Sequence, residues 1–225
     1  MQFRDRTEAG QILARKLEYL HGRGDLIVLA LPRGGVPVAY EIARALAAPL
    51  DLLVVRKLGV PGQKELAMGA IASGGMRVLN EHVIAVLGIR APEVVELATR
   101  RETEELRRRE EQYRGTRPFP ELTGKVVVLV DDGLATGATM RAAARAVRQR
   151  APAELIITVP VAAESSAREM VGEADQVICL SMPEDFFGVG QFYENFRQIS
   201  DEEVQNFLTS AEAAPGPPND GSADG

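Results

Sequence analysis

Five short apolar runs punctuate the chain, at 26–31 (LIVLAL), 52–55 (LLVV), 126–130 (VVVLV), 155–159 (LIITV) and 177–180 (VICL). Each is continuous and largely β-branched or leucine-rich, without the alternation of a half-exposed strand. Each therefore reads as a strand buried on both faces. Between and around them, apolar positions recur at helical spacing over about 7–21, 38–47, 92–114, 139–150 and 165–172. Strand alternating with helix predicts a doubly wound α/β fold, a mainly parallel five-stranded sheet flanked by helices, with right-handed crossovers.

Several stretches break this rhythm. Residues 58–63 (LGVPGQ) are turn-forming, and the apolar segments of 68–79 flank Ser73-Gly74-Gly75 as a hairpin would. Residues 100–114 (RRETEELRRREEQYR) interleave arginine and glutamate at spacings of three and four, which predicts a solvated helix with weak side-chain ion pairs. Residues 183–196 hold four phenylalanines and a tyrosine, with Gly188 and Gly190 opposing a regular helix, and a last helix is predicted at 201–209. Residues 211–225 lack large apolar side chains and read as a disordered tail, which leaves 1–210 as one domain. There are no internal repeats.

Composition narrows the class. With 45% hydrophobic and 26% charged residues among 225, a mostly disordered or collagenous chain is excluded. No apolar run approaches the roughly 18 residues of a membrane span. Arg4, Asp5, Arg6 and Glu8 stand where a secretory signal would need an apolar stretch. One cysteine, Cys179, forms no internal disulfide, and two histidines leave too few ligands for a zinc site. His21 and His82 lack any partner pattern and read as surface residues, and Cys179 as packing in a core strand. A net charge of −6 opposes a dedicated nucleic-acid binder. The expectation is a cytoplasmic protein with neither membrane nor nucleic acid as partner.

The chemistry concentrates in 125–141 (KVVVLVDDGLATGATMR). A buried strand ends in two carboxylates, Asp131 and Asp132, and the small-residue loop Ala135-Thr136-Gly137-Ala138-Thr139 opens the next helix. The carboxyl end of a parallel strand is where ligands bind in such sheets. Backbone N–H groups at a helix start cradle phosphate, and adjacent carboxylates suit the vicinal hydroxyls of a sugar. Phosphate beside diol describes a ribose 5-phosphate. A plain turn with a Thr139 cap would explain the Asp-Asp pair alone, but not the pair, loop and context together.

This stretch resembles the signature of type I phosphoribosyltransferases, and its Leu-Ala-Thr-Gly is similar to the adenine and uracil subgroups. The hypoxanthine–guanine subgroup places an aspartate base where this chain has Ala135. Two other segments fit. LPRGGVPV at 31–38 resembles the pyrophosphate loop, implying pyrophosphate contacts from Arg33, Gly34 and Gly35 and a cis peptide at Pro32–Arg33. Arg56 and Lys57, after the second apolar run, resemble the Arg-Lys pair that members aim at pyrophosphate. The resemblance then implies a mobile catalytic loop at 58–67, with Lys64 and Glu65 its ionisable residues and Glu65 a catalytic candidate. It also implies a small C-terminal hood at 183–200 above a core at 7–182, with Phe186, Phe187 and Phe192 as candidates to stack on a base.

The implied activity moves ribose 5-phosphate from 5-phosphoribosyl 1-diphosphate (PRPP) to a small heterocyclic base, releasing pyrophosphate. Asp131 and Asp132 would hold the ribose hydroxyls and, through water and PRPP, Mg²⁺. Residues 135–139 would bind the 5-phosphate. The family commonly forms homodimers. A non-catalytic PRPP or nucleotide sensor on the same fold is the alternative, and a flavodoxin-like module unrelated to PRPP survives only if the Asp-Asp loop is coincidental.

Overall fold

The computed structural model describes residues 1–88 and 91–213, with the side chains of 63–65 and 91 outside the description. The strands are β1 (Leu26–Ala30), β2 (Leu50–Leu52), β3 (Val55–Val60), β4 (Gln63–Ala72), β5 (Met76–Leu79), β6 (Val126–Val130), β7 (Glu154–Val161) and β8 (Gln176–Ser181). The helices are α1 (Arg6–Lys16), α2 (Gly35–Leu46), α3 (Glu81–Leu87), α4 (Ala91–Arg114), α5 (Ala138–Arg148), α6 (Glu164–Met170) and α7 (Asp201–Glu212).

The main sheet has the order β2-β1-β6-β7-β8. Every pairing in it is parallel, so the carboxyl ends of all five strands meet at one edge. Central β6 is fully enclosed, its five residues at most 1% exposed. Its two faces feed two cores: Val126, Val128 and Val130 pack with residues of α1 and α2, and Val127 and Leu129 with residues of α5. At ~1.5–3 kcal/mol for each fully buried large aliphatic side chain, this strand anchors the domain.

Local signals fix the helix starts. Asp5 caps α1 by accepting from the Glu8 N–H at 2.9 Å. Ser200 and Glu203 form a reciprocal capping box on α7. The hairpin expected around Ser73-Gly74-Gly75 is present as antiparallel β4 and β5. The charged helix carries ion pairs such as Glu105 with Arg108 and Arg109, while its Val95, Leu106 and Tyr113 are buried.

Four expectations need correction. The run 52–55 is not one strand: Leu52 ends β2, and Val55 begins β3 in a separate antiparallel sheet of order β3-β4-β5. Residues 58–67 are not an irregular loop, because β3 and β4 pair across a turn at Pro61-Gly62, with Gly62 at φ 79. Helix α3 was missed, although Asn80 caps it by accepting from the Val83 N–H at 3.3 Å. Of the supposed tail, Ala211 and Glu212 lie in α7, and 214–225 fall outside the described residues. No helix among the described residues is long and apolar enough to cross a membrane.

Candidate active site

The site forms where β1 and β6 end side by side. Leu31 N–H donates to the Val130 carbonyl at 2.9 Å, which carries the glycine turn directly over Asp131 and Asp132. Both glycines owe their place to close approach. A Cβ at Gly34 would overlap the Asp132 carboxylate, 2.6 Å from its Cγ. One at Gly35 would stand 2.6 Å from the Val130 carbonyl oxygen and 2.9 Å from the Asp131 Cα. The peptide between Pro32 and Arg33 is cis, as the sequence resemblance implies.

After the acidic pair, Leu134 N–H donates to the Val161 carbonyl and Ala163 N–H to the Leu134 carbonyl, each at 2.9 Å. Ser166 Oγ donates to the Ala135 carbonyl at 2.6 Å. The loop is thus pinned from β7 and α6, and Gly137, at φ 66, turns it into α5. The N–H groups of Ala135, Thr136, Gly137, Thr139 and Met140 find no acceptor among the described residues, and that of Ala138 has only a 3.5 Å contact to Thr136 Oγ1. Free amides at the start of an 11-residue helix form an anion cradle.

The carboxylates are more enclosed than two acids opening onto a diol would be. Asp131 Oδ1 accepts from the Asp132 N–H at 2.8 Å. Asp132 Oδ2 accepts from Arg6 Nε at 2.8 Å with Nη2 also 2.8 Å away in the ion pair, and only 14% of its side chain is exposed. Burial, and then the Asp132 charge, push the Asp131 carboxyl well above the usual carboxylate range. Burial also raises Asp132, with Arg6 opposing the rise. A raised carboxyl ties proton uptake to folding, so this stabilisation is complete below the ordinary carboxylate pKa and lost as pH rises through the folded-state value. Asp131→Asn keeps the Oδ1 acceptor without the charge. Its melting temperature is expected to exceed that of the native chain by a margin that grows from pH 4 towards neutrality, as thermal melts across that range would measure.

The hood is threaded onto the first residues of the chain. Phe3 N–H donates to the Phe192 carbonyl, Glu194 N–H to the Phe3 carbonyl and Asn195 N–H to the Arg4 carbonyl, at 2.8–2.9 Å. Tyr193 Oη donates to the Asp132 carbonyl at 2.7 Å. Its phenol is raised far above the ordinary range, by burial first and then by Asp132. Arg6, Tyr193 and Ser166 were not singled out from sequence; each acts through a partner far along the chain.

The other candidates divide. Thr136 and Thr139 are exposed on the loop, and Lys57 is exposed on β3 without an ion pair to a described residue. Arg56 Nε and Nη2 donate to Glu102 Oε2 at 2.9 and 2.6 Å, so its charge is met by α4. Nor do Arg56 and Lys57 sit at the carboxyl end of a parallel strand; both lie within antiparallel β3. Arg33 stands 3.7 Å from Asp201, beside α7. Phe192 is buried with Phe3, Ala9 and Val161 and fastens the 183–200 segment. Phe186 packs on it at 5.4 Å between ring centroids, and Phe187 is 92% exposed. The Glu65 and Lys64 side chains lie outside the described residues. His21 and His82 are exposed, and Cys179 is partly buried in edge strand β8.

A cavity of about 550 Å³ lies elsewhere, bounded by α2, β2 and the end of α7. Its cations Arg44 and Arg117 are paired with Glu41 and Glu212, and Asp51 with Arg114, so it presents no unmet charge among the described residues.

A model of the phosphoribosyl transferase domain matches residues 6–197. The Mycobacterium tuberculosis H37Rv protein named "Putative phosphoribosyl transferase Rv0571c" is 48% identical over 209 residues, which is 93% of this chain and 47% of the relative. An equally similar protein of strain CDC 1551 / Oshkosh, MT0597, bears the same family name. The chain therefore spans about half the length of these curated relatives. The crystal structure of TT1426 from Thermus thermophilus superposes with a TM-score of 0.84 at 42% identity, covering 93% of this chain and 99% of that one. A domain model that takes in the glycine turn, the acidic pair and the hood alike settles the descent of this fold, and the chain belongs to the phosphoribosyl transferase domain family.

Proposed function

We propose that the chain transfers ribose 5-phosphate from PRPP to a nitrogenous base with release of pyrophosphate, in a Mg²⁺-dependent reaction. The observation that carries this reading is the set of free amides at 135–137, 139 and 140, shortly after two carboxylates packed beneath the Gly34–Gly35 turn. In the reaction the C1–O bond to pyrophosphate breaks, a C1–N bond forms, and the acceptor nitrogen gives its proton to solvent.

The free amides of Ala135, Thr136, Gly137 and Thr139, with the Thr139 hydroxyl, take the 5-phosphate, and the short Ala138 side chain leaves room for it. Oxygens of Asp131 and Asp132 not held by Arg6 or backbone accept from the ribose hydroxyls. The turn of Arg33, Gly34 and Gly35 receives pyrophosphate, and Lys57 and Glu65 act from the β3–β4 hairpin. A hairpin is a stiffer cover than a loop, so it excludes water by hinging as a unit. Phe186 and Phe187 face the acceptor.

No cluster of three metal-ligating side chains occurs among the described residues. Two adjacent carboxylates with free oxygens fit Mg²⁺, which keeps several waters and takes its remaining ligands from substrate phosphates. When bound it would neutralise the departing pyrophosphate.

The test is pyrophosphate release from PRPP with Mg²⁺ and a panel of purine, pyrimidine and small aromatic bases. Turnover is expected with at least one base, and a loss of more than ~100-fold in Asp132→Asn, since charge stabilisation dominates such steps. Saturable PRPP binding without product from any base would instead make the chain a sensor.

A further inference from the structure

Arg6 is a charged side chain only 8% exposed. Its guanidinium is fixed on three sides. Nε donates to Asp132 Oδ2 at 2.8 Å, Nη2 stands 2.8 Å from the same oxygen, and Nη1 donates to the Arg197 carbonyl at 2.9 Å. The plane lies over the Phe196 ring, 3.9 Å from its centroid. Residues 196 and 197 belong to the hood, so one group joins the first turn of α1, the acidic pair and the hood.

Such an arrangement answers a problem in the proposed chemistry. Two neighbouring carboxylates repel a sugar that carries a phosphate and a diphosphate, yet the diol must reach them. One guanidinium bound to one oxygen halves the formal charge of the pair, and it leaves Asp132 Oδ1 without a cationic partner. We propose that Arg6 is a positioning residue for the sugar phosphate: it offsets the charge of Asp132 and fixes the carboxylate so that the oxygen left over meets the ribose hydroxyls. The inference rests on the PRPP reading above and extends it to a residue outside the three sequence segments that carry the family resemblance.

Lysine keeps the charge of Arg6 but lacks the planar fork that reaches Asp132 and the Arg197 carbonyl together while covering Phe196, and glutamine loses the charge as well. The experiment is calorimetric titration of the full chain, Arg6→Lys and Arg6→Gln with PRPP and with ribose 5-phosphate, in Mg²⁺ and well below each melting temperature. Arg6→Gln is expected to weaken both ligands roughly 10- to 100-fold, as when a group that orients a ligating side chain is removed. Arg6→Lys should fall between it and the native chain. A purely structural Arg6 would lower the melting temperature and leave both dissociation constants alone. Unchanged binding in either folded variant overturns the proposal, and should Arg6→Gln not fold, Arg6→Lys decides alone. Failure of the native chain to bind PRPP is a separate result, which defeats the transferase reading itself.

Discussion

Gly35→Ala is expected to destabilise the protein by about 1.5–4.5 kcal/mol, whereas Gly34→Ala is expected to act chiefly by weakening PRPP binding. Both introduce one methyl group, and what it strikes decides the difference. At Gly35 the obstacles are the Val130 carbonyl and the Asp131 Cα, main-chain atoms of the central strand and its end. They retreat only by opening the β1–β6 ladder and its extension from Leu31 N–H to Val130, which adds a lost hydrogen bond of about 0.5–1.5 kcal/mol to an overpacking cost of about 1–3 kcal/mol. At Gly34 the obstacle is the end of the Asp132 side chain, which turns aside and leaves Arg6. Urea denaturation reads the first effect. PRPP titration reads the second, expected as a loss of at least ~10-fold, because an orienting partner is gone.

Arg114→Met should cost about 3–5 kcal/mol, the penalty for leaving a buried ion uncompensated. Arg114 closes α4 with its side chain 4% exposed. It donates to Asp51 Oδ1 at 2.9 Å, the Leu52 carbonyl at 2.7 Å and Glu110 Oε1 at 3.2 Å. One guanidinium thereby ties the long helix to edge strand β2. Arg108→Ala on the same helix should leave denaturation unchanged, because its pair with Glu105 is open to water. Combining Arg114→Met with Asp51→Leu should recover much of the loss, since apolar packing replaces a buried pair at little net cost.

The sequence made the central strand plain because 126–130 is continuous, β-branched and bounded by polar residues, and the structure places β6 at the same residues. The run 52–55 has the same texture, yet the chain leaves one sheet for another within it. Hydrophobicity records burial, and burial continues through the switch: Leu53 and Val54 are 0% and 2% exposed. The Pro61-Gly62 turn was legible, but its flanks carry too few alternating positions to declare strands. The acidic pair and its loop were legible because the groups that define them are contiguous. Arg6 and Arg56 were not, since their partners Asp132 and Glu102 are 126 and 46 residues away. Among the hood aromatics, composition gave the cluster and could not assign Phe192 to its anchored side.

The pairing of Phe3 with Tyr193 also orders the birth of the molecule. Residues 3–6 are synthesised before the segment they clasp, which follows about 190 residues later, roughly 10–40 s at ordinary translation rates. Until then Arg6 has neither the Arg197 carbonyl nor Phe196 to rest on. On the proposed function, the contacts that position Asp132 for a sugar phosphate are complete only once these two distant segments have met.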